Sequence, residues 1–344
     1  MGMRTEEFDY SLPKDLIAQQ PEKERPSSRL LVLSRSEGSI RHLRFRDITR
    51  YLRAGDLLVI NDTRVIPARI PARKKTGGRV DILLAEEIDG KTWACLVTGL
   101  RKSAGPAGVV IGGSEVVLTP GDPYWTLETT EDVDVAQLMS EHGLMPLPPY
   151  IRREKDVRNL ADYDRYQTVY AERAGSIAAP TAGLHFDKDL LGIIREMGVN
   201  VVSITLHIGI GTFFLLKSEH VEGHRMHKEQ YSMSKAVVEA VRETKKNGGR
   251  VVAVGTSAVR TLESAFRGGP DSDGTSAGFT DLFIYPGYQY RVVDALVTNF
   301  HLPRSTPLLL VSAFAGKDLI ESAYREAVEQ RYRFYSYGDA MFIS

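Results

Sequence analysis

The groups in this 344-residue chain that could carry chemistry are polar residues placed just after short apolar runs, with histidine prominent among them. Behind the run at 56–60 comes Asn61-Asp62-Thr63-Arg64, a strong turn sequence that supplies a carboxylate and a guanidinium together. Behind Val199–Leu206 come His207 and the two glycines Gly209 and Gly211. Behind Val251–Val254, Gly255-Thr256-Ser257 opens a helix whose free amides suit an anion, with Arg260 and Glu263 three residues apart on it. Thr181, Gly183 and His185 close a Pro-Thr-Ala-Gly turn, and Asn299 and His301 flank Phe300 in another loop. Histidine takes and returns protons near neutrality without a large pKa shift, so His185, His207, His224, His227 and His301 are acid/base candidates, with Asp62, Glu229 and Glu263 as carboxylate alternatives. Each group also has a plainer reading. Thr256 or Ser257 could simply cap the helix, Arg260 and Glu263 could form a surface ion pair, and the glycines could serve tight turns.

Polar residues just past the strand ends of an open α/β sheet stand where such sheets bind substrates, and the remaining composition narrows which substrates. His220, His224, His227 and Glu229 are close enough to suggest a metal, but no helical pattern fixes their geometry and no metal signature matches, so no metal is expected. The lone cysteine, Cys95, rules out an intrachain disulfide and a cysteine-ligated zinc or iron–sulfur site, and it points to a reducing, cytoplasmic compartment. GIGTF at 209–213 has only the first two glycines of a dinucleotide fingerprint, and no P-loop is present. Lys+Arg and Asp+Glu balance at 44 each, so a nucleic acid would have to be held by a local patch. Arg64, Arg69, Arg73, Lys74, Lys75 and Arg79 form one run without an acidic residue; Arg152, Arg153, Lys155 and Arg158 form a second, diluted by Glu154 and Asp156. Solvated faces are the commoner meaning of such runs. No apolar run approaches bilayer length and the first residues read as no signal peptide, so no membrane partner is expected.

Two textures position these groups. From Ile70 to Tyr150 short alternating stretches recur (Val80, Ile82, Leu84; Trp93, Cys95, Val97; Val116, Leu118) between Gly- and Pro-rich turns, as in a small antiparallel barrel or sandwich. Beyond it, helical and strand patterns alternate: a helix with Leu190, Leu191 and Ile194 between Asp187 and Gly198, a strand at Val199–Leu206, a helix over Lys235–Lys246, a strand at Val251–Val254 and a helix from Ala258 to Phe266. The fold class expected is therefore α/β: a discontinuous α/β domain over 1–68 and 152–344, interrupted by an inserted small antiparallel β-barrel at 69–151. Residues 268–278 are too polar and glycine-rich to bury much and read as a loop excursion, with a lid as the alternative.

In order along the chain, NDTRVIPAR (61–69), PLPPYI (146–151), RYQTVYA (165–171), GSIAAPTAGLHF (175–186), LHIGIGTF (206–213), GHRMHKE (223–229), VGTSAVRTLES (254–264), the long run DLFIYPGYQYRVVDALVTNFHLPRSTPLLLVSAFAG (281–316) and YRFYSYGDAMFI (332–343) resemble the S-adenosylmethionine:tRNA ribosyltransferase-isomerases of queuosine biosynthesis, and LPKDLIAQQP (12–21) extends the match. The departures are small: Ala258 replaces a hydroxyl residue and Phe214 sits at a commonly polar place. The resemblance implies a barrel inserted in an α/β domain. It implies that S-adenosylmethionine is a consumed co-substrate giving its ribosyl group, with no resident cofactor. It also implies that the acceptor is 7-aminomethyl-7-deazaguanine at the wobble position of tRNA, with epoxyqueuosine-tRNA, adenine and methionine as products. The mechanism expected is removal of a proton from the 5′ carbon beside the sulfonium, departure of adenine, attack by the acceptor amine and closure to the epoxide with loss of methionine.

Under that reading His185, His207, His224, His227, Glu229 and Asp62 are the catalytic candidates. Arg64, Thr181, Gly183, Gly209, Gly211, Thr256, Ser257, Arg260, Glu263, Asn299 and His301 are candidates for substrate binding, and Arg69, Arg73, Lys74, Lys75, Arg152 and Arg153 for tRNA. A monomer is expected. The rival readings are a non-catalytic RNA-binding protein and a histidine-ligated metal hydrolase.

Overall fold

A computed structural model describes residues 2–129, 133–154, 156–213, 215–216, 218–269 and 276–344, with the side chains of 212 and 213 left aside. Most of the polar loop expected at 268–278 lies outside the described residues. The chain forms two compact units: Met1–Arg64, Gln167–Ala174 and Ala179–Ser344 make the first, Val65–Tyr166 and Gly175–Ala178 the second.

The first unit opens with β1 (Arg29–Leu33), β2 (Ile40–Arg44) and β3 (Leu57–Asn61), and the chain leaves it through β4 (Thr63–Val65). The second unit holds β5 (Arg69–Lys74), β6 (Arg79–Asp89), β7 (Thr92–Thr98), β8 (Ala107–Ile111), β9 (Ser114–Thr119) and β10 (Trp125–Thr129), then α1 (Val135–His142) and α2 (Leu160–Arg165). After β11 (Arg173–Ser176) come α3 (Lys188–Glu196), β12 (Asn200–Leu206), β13 (Glu229–Met233), α4 (Lys235–Lys246), β14 (Val251–Val254), α5 (Thr256–Ala265), β15 (Ala277–Thr280), β16 (Ala295–Asn299), α6 (Thr306–Ala315), α7 (Lys317–Glu329) and β17 (Ala340–Ile343).

The second unit is a closed antiparallel barrel in the order β10-β7-β6-β5-β8-β9. Closure removes strand edges that would otherwise seek partners. Its interior takes the alternating residues of the sequence pattern: Val80, Ile82, Leu84, Cys95, Val109, Ile111, Val116, Leu118 and Leu127 are buried. Residues 152–166 belong to this unit too, beyond the 69–151 expected for the barrel.

The first unit is a nine-stranded sheet in the order β15-β13-β12-β3-β14-β16-β17-β1-β2. β12, β3, β14 and β16 run parallel, with Ser203 opposite Ile60, Val251 opposite Leu57 and Val252 opposite Ala295. These strands read as continuous apolar runs because both faces are covered. On one face Leu58, Ile60, Val252, Val254, Ala295 and Val297 pack with Phe186, Leu190, Leu191 and Ile194 from and before α3. The parallel register sends the carboxyl ends of four strands to one edge of the sheet. β13 runs antiparallel to β12 and β17 antiparallel to β16, so their amino ends, at Glu229 and Ala340, reach the same edge. Helix limits follow the caps: Asp187 accepts from the Leu190 amide at 2.8 Å and Ser234 from Val237 at 3.3 Å. Ser305 precedes α6, with Pro307 in its first turn, and Gly316 precedes α7.

Candidate active site

Among the polar atoms buried in the first unit without a hydrogen-bond partner among the described residues are Thr168 Oγ1 and Tyr170 Oη from one segment, His185 Nε2 from a second and Asn299 Oδ1 from a third. Such groups cost about 1–3 kcal/mol each if nothing ever meets them, so their gathering suits a ligand site. The remaining contacts fix them in place. The ring of His185 holds the Ser28 hydroxyl at 2.8 Å through Nδ1 and stacks on Phe45, centroids 5.0 Å apart. Asn299, at the end of β16, spends its amide group on the Tyr335 carbonyl at 3.0 Å. Gly183 is the residue that lets Tyr170 in, since a Cβ there would lie 2.1 Å from the Tyr170 hydroxyl and 2.8 Å from Thr168 Cγ2. Burial holds the His185 imidazole down to a pKa of about 3, against a smaller opposing pull from the Asn299 amide beside it. His185 is thus neutral at physiological pH. Thr181 begins the same single turn, Thr181–His185.

A second group stands past the ends of β3 and β12. Asn61 stitches the two strands together: its amide donates to the Leu206 carbonyl at 3.0 Å and to Ser257 Oγ at 3.1 Å, while its oxygen accepts from the Leu206 and Thr63 amides. That stitch places Thr63 Oγ1 2.8 Å from His207 Nδ1. Asp62 is buried, accepts from the Thr205 hydroxyl at 2.6 Å, and opens onto a cleft of about 470 Å³ that Arg173, Thr205, Ser232 and Ser234 also line. Burial lowers the pKa of His207, opposed by the charge of Asp62; burial raises that of Asp62, opposed by the Thr205 hydroxyl and Arg173. The charge of Asp62 also reaches Tyr170, so the two groups share one electrostatic neighbourhood. Ser257 and Thr256 lie at the start of α5, which Gly255 enters at φ +88°. Arg64, next to Thr63 in sequence, is exposed.

Other expected site residues are spoken for by the protein itself. Arg260 pairs with Glu229 and donates to the Leu282 carbonyl at 3.0 Å and the Thr280 carbonyl at 3.3 Å. Glu229 in turn accepts from the Gly209 amide at 2.9 Å. This buried clamp ties the loop after β12 to the strands at the sheet margin. Glu263 lies fully buried and accepts from the amides of Arg291, Val292 and Val293 and from the Tyr288 hydroxyl, which makes it the anchor of that turn. His301 is bonded to Thr298 Oγ1 at 2.7 Å, its backbone is held by the hydroxyls of Tyr10 and Tyr324, and burial brings its pKa to about 3. His224 meets Phe283 edge-on and burial lowers its pKa. His227 lies against Gly211, where a Cβ would come within 2.8 Å of its ring. Among the described residues no three His, Cys, Asp or Glu side chains converge as a metal site, so His220, His224, His227 and Glu229 do not form the constellation a metal hydrolase would need.

In the second unit the basic runs divide. Arg69 makes a bidentate pair with Asp81, Arg153 one with Asp162, Lys75 pairs with Glu115 and Arg79 with Asp156. Arg73 is exposed and donates to the Gly77 carbonyl of its own hairpin; Lys74 is half-buried and Arg152 exposed. Sequence reasoning missed Thr168, Tyr170 and Ser28 as site residues because their significance lies in burial and in what they leave unpaired or support, which spacing does not reveal. The one signal for the first two was the segment RYQTVYA, which stands out through the family resemblance and not through its chemistry.

The family model described as queuosine biosynthesis protein matches residues 5–343. The chain is 49% identical over 349 residues to an S-adenosylmethionine:tRNA ribosyltransferase-isomerase of Geobacter sulfurreducens, and 50% identical over 343 residues to one of Thermotoga petrophila, covering 99% of this chain and all of each relative. A crystal structure of S-adenosylmethionine tRNA ribosyltransferase from Thermotoga maritima matches with a TM-score of 0.57 and 39% identity, over 98% of this chain and 100% of that one. The chain belongs to the queuosine biosynthesis family of S-adenosylmethionine:tRNA ribosyltransferase-isomerases.

Proposed function

We propose that the carboxyl edge of the nine-stranded sheet is where this chain carries out its family's reaction. The enzyme transfers and isomerises the ribosyl group of S-adenosylmethionine onto the aminomethyl group of 7-aminomethyl-7-deazaguanine at the wobble position of tRNA, giving epoxyqueuosine-tRNA, adenine and methionine. S-adenosylmethionine is consumed, so it is a co-substrate. Among the described residues no helix is long and apolar enough to cross a membrane. The tRNA substrate and the single buried thiol, Cys95, support a cytoplasmic location, and we take the working unit to be a monomer.

The observation that carries the site assignment is the cluster of four unpartnered buried polar atoms on Thr168, Tyr170, His185 and Asn299. They receive the nucleoside part of the donor, whose ribose hydroxyls and base edge offer the matching donors and acceptors. His207 is the base that takes the 5′ proton. A base must be unprotonated at rest, and desolvation lowers its pKa while Thr63 orients the ring through Nδ1. The Asp62 carboxylate faces the positive sulfur and supports the imidazolium once the proton has moved. With that proton gone, the electron pair left on the 5′ carbon forms a double bond to the 4′ carbon as the bond from that carbon to the ring oxygen breaks, and the ring oxygen forms a carbonyl at the 1′ carbon as the bond to adenine breaks, adenine leaving with a proton. The acceptor amine adds to the 4′ carbon of the vinyl sulfonium, the electron pair returned to the 5′ carbon closes onto the 1′ carbonyl, and the alkoxide so formed displaces methionine from the 5′ carbon to give the epoxide. The amino end of α5, at Thr256 and Ser257, holds the methionine carboxylate. Arg260, Glu229 and Glu263 are positioning residues.

The test is incubation with S-adenosylmethionine and tRNA bearing the aminomethyl deazaguanine, with adenine and methionine quantified. Stoichiometric release of both, with the modified nucleoside appearing in the RNA, is expected. Release of S-adenosylhomocysteine, or of nothing from a good substrate, overturns the reading.

A further inference from the structure

We propose that His224, Phe283 and Tyr285 form a stacking platform for an unpaired base of the tRNA next to the one being modified. This rests on the tRNA substrate of the preceding reading. The three rings stand in a row: His224 meets Phe283 edge-on at 5.0 Å and 66°, and Phe283 meets Tyr285 at 5.0 Å and 43°. Ile284 is only 2% exposed, whereas Phe283 and Tyr285 on either side of it and His224 are half-buried and keep part of each ring in reach of solvent. Partly exposed aromatic side chains in a row are a useful way to hold a base, because every base has a π-face.

The platform is built rigidly. Arg260 grips the Leu282 carbonyl directly before Phe283 and the Thr280 carbonyl before that. The same guanidinium holds Glu229, which binds the Gly209 amide two residues past His207. One buried clamp thus fixes both the platform and the loop carrying the proposed base. On the other side, Val221 is fully buried and its carbonyl accepts the His224 amide, so that ring is anchored too. Burial lowers the pKa of His224, and a neutral imidazole stacks without bringing a charge against the base. The stretch that carries His224 adds Arg225 and Lys228, both exposed and in no ion pair among the described residues. They supply the phosphate contacts that a base-stacking surface requires.

The occupant is taken as an RNA base in preference to the adenine of the donor because exposed cations lie on the same stretch of chain as His224, and a phosphodiester backbone explains them where a methionine tail does not. The probe is an anticodon stem-loop RNA with 2-aminopurine beside the wobble position. Binding to the wild-type enzyme is expected to quench its fluorescence. Phe283→Leu and Tyr285→Leu, which keep apolar bulk and lose the ring, should each raise the Kd for the RNA roughly 5- to 150-fold and abolish the quench. Phe283→Tyr should restore both. Matching urea midpoints with the wild type separate this from damage to the fold, and Tyr285→Leu serves if Phe283→Leu is unstable. RNA affinity unchanged in both leucine variants, or a raised Kd for S-adenosylmethionine alone with RNA binding intact, overturns the proposal. Adenine release by the wild type, measured on the same preparation, reports separately on the enzymatic reading.

Discussion

A histidine that is to take a proton from carbon must be neutral at rest yet able to hold a charge once the proton arrives, and the rings of the carboxyl edge divide on the second requirement. His185 is buried and His301 half-buried, both with pKa values near 3, so a charge on either would find little to stabilise it. His207 is only half-buried and has the charge of Asp62 to support an imidazolium. Replacing His207 by asparagine should lower kcat by roughly 10²–10⁴-fold, the range for loss of a general base. The wild-type kcat/KM should rise with pH through a limb below the ordinary histidine pKa, and that limb should vanish in the residual activity of the variant. Asp62→Asn makes a sharper test. Removing its charge lowers the His207 pKa further, so the acidic limb should move to lower pH; complete loss of turnover with no shifted limb would make Asp62 the base. Sequence alone singled out both residues, since each follows a buried strand, a place where ligands bind. What it could not show at Arg260 and Glu263 is what each side chain meets: a charged residue one or two turns into a helix looks the same whether it faces a substrate or, as here, bonds within the protein.

At the scale of elements, the site is a problem of holding strand ends and loops together, and the means are buried polar clamps. Asn61 joins β3 to β12 and α5, and Arg260 joins the loop after β12 to the turn after β15 through Glu229. Glu229→Gln would leave the guanidinium of Arg260 buried beside a neutral amide. Breaking a buried pair in this way costs about 3–5 kcal/mol, so a marked drop in the urea midpoint is expected, and a change below about 1 kcal/mol would show that the pair is not structural. Tyr170→Phe should do the opposite. Its hydroxyl has no partner among the described residues, so removal should leave stability unchanged or raised by up to about 1 kcal/mol while KM for S-adenosylmethionine rises. A loss of stability with unchanged KM would mean that the hydroxyl serves the fold. The elements themselves were legible because period and punctuation agreed: apolar runs without alternation became central strands, alternating runs became barrel walls, and Asp187 and Gly198 bounded α3 as read. The sheet order was not legible. Nothing in Ala340–Ile343 announces that it inserts between β1 and β16, because that pairing is set by long-range packing of Phe342 against residues near the amino terminus.

For the whole molecule, equal totals of acid and base leave no global field, so both RNA binding and acid stability depend on which charges are already paired. In the barrel unit Arg69, Lys75, Arg79 and Arg153 have carboxylate partners, leaving Arg73 and Lys74 as the better phosphate ligands. Neutralising that pair should flatten the dependence of log K on log salt by roughly 0.7–0.9 for each phosphate the protein no longer neutralises, and an unchanged slope would show the hairpin to be merely solvated. Acid stability turns on His185 and His301. Their folded pKa values, about 3, lie below the ordinary value near 6.5. As pH falls through 6.5 the unfolded chain takes up these protons and the native protein does not. The contribution is therefore complete above pH 6.5 and is lost progressively down to about pH 3, at roughly 3 kcal/mol for each ring by pH 4.5. Asp62 and Asp339, raised by burial, act in the other direction and offset part of the loss as they protonate in the folded state. A His185→Gln/His301→Gln variant keeps polar groups in both places and titrates at neither. Its unfolding free energy should start lower at pH 7.5 and fall much less than the wild type's by pH 4.5, so that the two curves converge or cross. Parallel curves would mean that the histidines charge within the fold and that acid loss arises from the paired carboxylates alone.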